Sequence, residues 1–422
     1  VMLEGMKIFR GGKFMIEKTI KVAIIGGGIW GLSAAYHLAR KGQEDVVVFE
    51  RNTELAVETT KRAAGLVGQV RDSATMIQVT QYAIRLFQQM AEETDCDPGF
   101  IQSGSLMLAM NEQRMAAYQQ NMAFVQQHGV EAMLVDEIEI QRLAPNIDPS
   151  CLTGALFIPT DGYLDPYRCA MAYANQAEKL GVEIRLNQEV DDLAVSSDGV
   201  VTGLQTSEGL IEAERVVVTI GPWSRRLMRK LGIQSAVETI RHQRMVTESV
   251  PVPDHHPVVR IKDLNGYVRR DGNRYLYGYF EPNPTTFDLN QLAPDFGTDD
   301  LPPPEEAMQM AKSNFSQVFP ILKDLRIDEY RQGLVGFSPD GQYLLGPVPS
   351  MTNLYLACGC AALGIAGSAA IGHWVTEWVM DSTPKADLSM FDHSRFGADG
   401  ENLDWVRQRA ISHYVNYYAL PN

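Results

Sequence analysis

Val22-Ala23-Ile24-Ile25-Gly26-Gly27-Gly28-Ile29-Trp30-Gly31 is the stretch on which the reading of this chain turns. An apolar run enters a glycine turn, and LSAAYHLARKG at 32–42 follows with helix-forming composition and a stop at Gly42. A second apolar run, Val46-Val47-Val48-Phe49, delivers Glu50, 19 residues after Gly31. Strand, glycine turn, helix, strand, acid is the order of a dinucleotide-binding unit. Gly26 permits the tight turn, Gly28 lets backbone approach a pyrophosphate, and Gly31 lets helix and strand pack closely. Ile29 and Trp30 begin the helix whose free N–H groups face an anion. Glu50 is placed to accept hydrogen bonds from ribose hydroxyls, with Arg51 beside it. A glycine triplet alone also occurs in ordinary strand-to-helix turns; the flanking strands and the terminal acid separate the two readings.

The 422 residues allow two or three domains and a sizeable core. Against 52 Asp and Glu stand 37 Lys and Arg, a net charge of −15, which argues against general affinity for nucleic acid or an anionic membrane. One basic pocket for a small anion remains compatible with that balance. Five cysteines without paired metal-ligand spacing fit a reducing, cytoplasmic compartment and no metal site. Cys358 and Cys360 read as incidental thiols of a loop. No run of about 18 apolar residues occurs, so no membrane span is expected. The first twenty residues mix charge with short apolar pieces and read as a loosely ordered leader without a secretory core.

Beyond Glu50, the small-residue run Ala63-Ala64-Gly65-Leu66-Val67-Gly68 has a backbone that could lie against a flat ligand, or form a surface loop. Ser73 is placed to cap a helix with Met76, Ile77, Ala83, Leu86, Phe87 and Met90 at helical spacing. A strand is expected over 102–110 and a helix over 111–128. Asp165 and Pro166 open a helix that stops at Gly181, and a buried strand over 215–220 ends in Gly221-Pro222-Trp223. From 237 to 280, strand-like pieces follow one another without a helix, which predicts an antiparallel layer. Six of the 21 prolines fall in 282–304, a long loop, and a helix is expected near 305–318. The strand Leu354-Tyr355-Leu356-Ala357 then runs into CGCAALGIAGSAAIG, a glycine-rich turn opening another helix. The fold class is therefore α/β: a Rossmann-like domain, with a second domain built on a mixed or antiparallel sheet.

These motifs resemble the D-amino-acid-oxidase class of flavoproteins, and within it the dimethylglycine and sarcosine dehydrogenase branch, over most of 20–422. GGGIWGLSAAYHLA with Phe49-Glu50 is similar to the start of the family's FAD-binding domain, and TTKRAAGLVGQVR at 59–71 to its flavin-contacting loop. VVVTIGPWS, GYVRRDGNRYLYGYFE, GLVGFSPDGQYLLGPVP and the 359–367 glycine loop follow in family order. The resemblance implies a glutathione-reductase-type FAD domain assembled from 18–92, 161–232 and 333–386. It implies a substrate domain from 93–160 and 233–332, and a C-terminal extension at 387–422. That extension is similar to the segment preceding a folate-binding region in larger members, and no such region is expected here. FAD contacts are implied at Gly26, Gly28, Ile29, Trp30, Gly31, Glu50 and Arg51, and in the loop at Thr60, Arg62, Ala64, Gly65, Leu66 and Val67. Further contacts are implied at Val190, Gly221 and Trp223, and at Gly336, Gly359, Leu363, Gly364, Ile365 and Ala366. Branch members with covalent FAD use the histidine of a Trp-His pair, where this chain has Lys61-Arg62. Related sarcosine oxidases use a cysteine near the position of Gly333. With neither nucleophile, FAD is expected to be dissociable.

The resemblance further implies oxidation of the C–N bond of a secondary or tertiary amino acid, an N-substituted glycine such as sarcosine, dimethylglycine or iminodiacetate. Hydride passes to flavin N5, the imine is hydrolysed, and oxygen or an electron-transfer protein takes the electrons. A small anionic amine needs a cationic or hydroxyl-rich clamp. Tyr267 and Arg269 are two apart on a strand and share a face, as do Tyr277 and Tyr279 on its neighbour. Tyr267, Arg269, Tyr279 and His242 are expected to line the catalytic face, with Arg62, Lys61 and Arg260 binding substrate. A solvated hairpin end for Arg269-Arg270 and an ordinary sheet position for His242 stay open. The helix N-terminus at Gly364-Ile365-Ala366 is expected to face flavin O2, where it would stabilise negative charge. Two other functions suit the same scaffold: a D-amino-acid or opine-type oxidase, and a flavin-holding subunit inactive without its partner.

Overall fold

Val22–Ile25 lies inside a six-stranded sheet whose order is Leu344–Pro347, Leu354–Cys358, Val216–Val218, Val22–Ile25, Val46–Phe49, Glu183–Arg185. All neighbours are parallel except the first pair. Every residue of Val22–Ile25 and Val46–Phe49 is buried, as expected of strands covered on both faces. This computed structural model describes residues 19–420, so the leader read at 1–20 falls, save its last two residues, outside the described residues.

Helices Ile29–Arg40, Pro166–Lys179 and Gly364–Asp381 share one core with this sheet. The first and last approach closely because Gly372 has no side chain: a Cβ there would stand 2.3 Å from Ser33 Oγ. Ser33 Oγ in turn donates to the Ser368 carbonyl at 2.8 Å. Leu193, Leu204 and Ile211, from the antiparallel strands Val190–Val195, Val201–Thr206 and Gly209–Glu212, join a second core with strand residues such as Ala23 and Ile25.

The other large sheet has eight strands in the order Ile327–Phe337, Glu238–Thr247, Tyr275–Tyr279, Gly266–Arg270, Val258–Ile261, Ser105–Ala109, Gly154–Ile158, Met133–Val135. The strands of 237–280 are antiparallel to one another, but Val258–Ile261 pairs in parallel with Ser105–Ala109, which makes the sheet mixed. Register decides which side chains meet. Tyr267 lies opposite Gly278, whereas Tyr279 lies opposite Gly266, so Tyr267 and Tyr279 emerge on opposite faces. Tyr277 and Tyr279 pack with Phe315 of helix Glu305–Phe315, while Tyr267 joins Phe280, Phe337 and Tyr414. Tyr414 belongs to helix Leu403–Val415, which rests on strands Glu238–Thr247 and Ile327–Phe337. No helix among the described residues is long and apolar enough to cross a membrane.

Candidate functional site

A cavity of about 400 Å³ opens between the two sheets. Gly26, Gly28, Ile29 and Trp30 line one end of it. A Cβ on Gly31 would stand 2.0 Å from the Gly26 carbonyl oxygen, so no side chain fits there. A Cβ on Gly28 would meet only Thr60 Oγ1, at 3.5 Å, which leaves that backbone open to the cavity. The helix from Ile29 has no side-chain cap from Gly28; Thr60 Oγ1, across the cavity wall, accepts from Ile29 N at 3.2 Å. Helix Gly364–Asp381 also begins without a side-chain cap, and Leu363, Gly364 and Ile365 line the same cavity. Trp30 Nε1 donates to the Gly364 carbonyl at 2.7 Å and ties the two helix starts together. Two helix N-termini therefore direct partial positive charge at one space.

Glu50 is buried beside the first turn. One carboxylate oxygen accepts from Gly27 N at 2.8 Å and the other from Asn52 N and Nδ2, both at 2.9 Å. Burial pushes its pKa up, against the pull of the Asn52 and Gly27 amides. Arg51 stacks over the Trp223 ring at 4.9 Å and pairs with Glu58 at 2.8 Å. Val190, Gly221 and Trp223 complete this end, with Gly221 at φ +55 and nothing within 4 Å of its missing Cβ.

At the other end the chemistry changes. His242 Nε2 lies 3.1 Å from the Tyr267 hydroxyl, and Nδ1 lies 3.0 Å from that of Tyr414. Burial, and then the charge of Arg244, lower the His242 pKa to about 3, so its ring is neutral. Tyr267 reaches His242 by crossing Gly278, where a Cβ would stand 2.1 Å from its hydroxyl oxygen. Phe280 stacks on Tyr417 at 4.3 Å and an interplanar angle of 11°, and both line the cavity. Arg71 and Arg260 line it as well. Arg260 donates to the Tyr418 hydroxyl at 3.4 Å; Arg71 Nε is buried without a hydrogen-bond partner, as is Arg62 Nε. Asp161 is the buried acid facing Arg260. Burial raises its pKa to about 6, although the Gln69 side chain and the Arg260 charge oppose that rise.

The structure brings most of the anticipated residues to this cavity. Thr60, Arg62, Ala64, Gly65, Leu66, Gly336 and Gly359 line it, as do His242, Tyr267 and Arg260. Gly31, Val67 and Ala366 lie behind the lining and are buried. Three expectations about the substrate face require correction. Tyr279 points away, against Phe315, because of the register above. Arg269 is held behind the loop: Nε donates to the Ala64 carbonyl at 2.7 Å, Nη1 to Arg270 O and Asp271 Oδ1, and the guanidinium covers the Tyr163 ring. It is neither a cavity clamp nor a solvated hairpin end. Lys61 is exposed and turned to the Tyr167 ring, 5.2 Å away. The buried Arg244 donates to the carbonyls of Arg62 and Lys61, so two arginines carry the cavity-lining loop on its backbone. Sequence reasoning missed Arg71, Phe280, Tyr417 and Tyr418 as lining groups. Arg71 and Phe280 stood inside quoted motifs, but no periodicity marks their direction.

The residues fit FAD: Gly28 and the two helix starts can hold its phosphates and ring carbonyls, Glu50 its ribose, and Ala64 to Leu66 with Gly336 and Gly359 its ring. Residues 21–378 match the family model for FAD dependent oxidoreductases, and the chain belongs to that family. It is 29% identical over 403 residues to 4-methylaminobutanoate oxidase (formaldehyde-forming) of Paenarthrobacter nicotinovorans, covering 95% of this chain and 48% of that protein. It is 30% identical over 390 residues to mitochondrial dimethylglycine dehydrogenase of Homo sapiens, covering 89% and 44%. The chain thus spans about half the length of these relatives. The crystal structure of L-proline dehydrogenase from P. horikoshii has the same fold, with a TM-score of 0.81 at 24% identity over 90% of this chain and 98% of that one.

Proposed function

We propose that this protein oxidises the C–N bond of a small anionic secondary or tertiary amine, an N-substituted amino acid. FAD, held without a covalent bond, supplies the two-electron acceptor. The observation that carries this reading is the pair Arg71 and Arg260 beside the neutral His242–Tyr267 pair, at the end of the cavity away from the glycine turn. Two guanidinium groups with no ion-pair partner within 4 Å among the described residues suit a carboxylate. Phe280 and Tyr417 enclose apolar N-substituents and exclude water from the reacting carbon. A neutral imidazole adds no positive charge beside the ammonium group of the zwitterionic amino acid, so it does not oppose binding, and with a pKa of about 3 it is too weak a base to deprotonate that group. Orientation is what these side chains contribute. The names of the relatives, an oxidase of a methylamino acid and a dimethylglycine dehydrogenase, agree with that substrate class.

The non-covalent part rests on the nucleophiles available. Cys360 lines the cavity, but burial pushes its thiol up to about 11, and Cys358 up to about 12, so neither is a ready thiolate. Acid precipitation should leave a colourless pellet and a yellow supernatant; a yellow pellet refutes a dissociable cofactor. The function itself is tested by mixing FAD-loaded protein anaerobically with sarcosine, dimethylglycine, iminodiacetate and D-alanine. Bleaching of the flavin band by one of the first three is expected. Bleaching by D-alanine alone, or by none, overturns the reading.

A further inference from the structure

Tyr414 sits past residue 378, where the family match ends, on the helix Leu403–Val415. Its hydroxyl, the His242 ring and the Tyr267 hydroxyl form a line from that helix through the sheet to the cavity, with contacts of 3.0 and 3.1 Å. The Tyr414 side chain is fully buried, its ring packed by Phe280 and Phe337 at 5.1 and 5.4 Å between centroids.

The direction of the protons follows from counting donors. Neutral imidazole has one N–H and one acceptor nitrogen. Among the described residues the Tyr414 proton has one hydrogen-bonding acceptor within reach, His242 Nδ1, and an N–H at Nδ1 would leave that buried proton without one. The imidazole N–H is then at Nε2 and donates to the Tyr267 oxygen. His242 is the hydrogen-bond partner of the Tyr267 hydroxyl, so the Tyr267 proton is left to point into the cavity. We propose that Tyr414 is a positioning residue: it fixes His242 in the Nε2–H tautomer and so aims the Tyr267 hydroxyl as a donor at the substrate carboxylate. The inference rests on the anionic-amine reading above. A chain of donors running one way also polarises its last member and strengthens that bond. The charged groups around this line are Arg244 beside His242, Glu281 and Arg241 near Tyr414, and Arg260 and Arg269 near Tyr267. No hydrogen bond joins the side chain of any of these to the three members, so the tautomer is set within the line itself.

Methoxyacetate is the probe, because it keeps the carboxylate and size of sarcosine and has no amine to oxidise. Titrated into FAD-loaded protein, it is followed by the change in the flavin spectrum. Tyr414→Phe keeps the ring contacts and should retain FAD, with Tm lowered by roughly a few degrees for the one hydroxyl lost, while raising the Kd for methoxyacetate about tenfold. On a Tyr267→Phe background the same change should cost nothing more, since both act through one bond. An unchanged Kd in Tyr414→Phe, or losses that add in full, overturns the inference alone. Wild-type protein that holds FAD but gives no response to methoxyacetate overturns the anionic-amine reading and the inference with it. A measurement independent of any variant's folding is the ¹⁵N spectrum of histidine-labelled wild-type protein, with the His242 signals expected to show protonated Nε2 and bare Nδ1. The opposite tautomer refutes the proposal.

Discussion

Arg71 and Arg260 place two guanidinium groups at one end of a cavity whose other walls are aromatic rings and glycine backbone. Neither is in a salt bridge among the described residues; Asp161, whose pKa burial raises to about 6, is ionised at neutral pH and offsets part of their charge, so the pair keeps a net positive charge. Such groups are stabilised when an anion arrives, since a charge-assisted hydrogen bond contributes about 1.5–3 kcal/mol. Arg71→Met and Arg260→Met should each raise KM for the anionic amine about ten- to a hundredfold and change kcat less, because they bind a part of the substrate remote from the C–N bond. Steady-state kinetics on the two variants decides: KM values equal to wild type in both would place the carboxylate elsewhere. Arg62 differs, being paired with Asp299 at 2.5 Å. Its replacement should matter less for substrate than either of those two.

The loop over residues 59–66 owes its position to strands of the other sheet. Arg244, from Glu238–Thr247, donates to the carbonyls of Lys61 and Arg62, and Arg269, from Gly266–Arg270, donates to that of Ala64. Arg244→Met leaves two carbonyls without donors, at about 1–3 kcal/mol for each one that stays buried. It should lower Tm and weaken FAD binding together, while Gly278→Ala should leave FAD in place and spoil substrate binding through Tyr267. Fluorescence titration with FAD and with methoxyacetate separates these outcomes; loss of FAD in Gly278→Ala would contradict the account of Tyr267. The turn at Gly26–Gly31 was legible from spacing because backbone geometry there admits glycine and little else. The pairing of Tyr267 and Arg269 on one face was legible too, from the two-residue period of a strand. The register between strands was not, since it depends on partners distant in sequence, and a one-residue offset turned Tyr279 to the other face. For Arg269, alternation gives a face but not the Ala64 carbonyl that takes up its Nε. The part played by Tyr414, Tyr417 and Tyr418 was hidden for the same reason: a helix 172 residues from His242 in sequence supplies the partner of Nδ1.

Across the whole molecule, burial holds six of the eight histidines below their ordinary pKa, three of them, His37, His242 and His256, far below it. His37, in the nucleotide-type half, is held by the Ser33 carbonyl and the Tyr82 hydroxyl, and burial lowers its pKa to about 3. His242, between the sheets, is lowered to about 3 by burial and then Arg244. His256, against Tyr275 and Phe319, is lowered to about 4 by burial, against the pull of the Pro257 carbonyl. An unfolded histidine takes up its proton near pH 6.5. Between that value and about pH 4 the unfolded chain therefore binds more protons than the native one, and stability falls as the pH falls. At pH 5 each histidine removes on the order of 2 kcal/mol relative to pH 8. Asp161 has the opposite sign, because its native pKa lies above the unfolded value. It regains about 1 kcal/mol over the same interval, which does not offset three histidines. Urea unfolding at saturating FAD should therefore show a midpoint that drops from pH 7 to pH 5. His256→Phe, remote from the cavity and set among aromatic rings, should flatten that dependence by about one proton. A midpoint independent of pH between 7 and 5 would mean that these histidines keep their protons in the native state, and the neutral His242 on which the aim of Tyr267 depends would be lost with them.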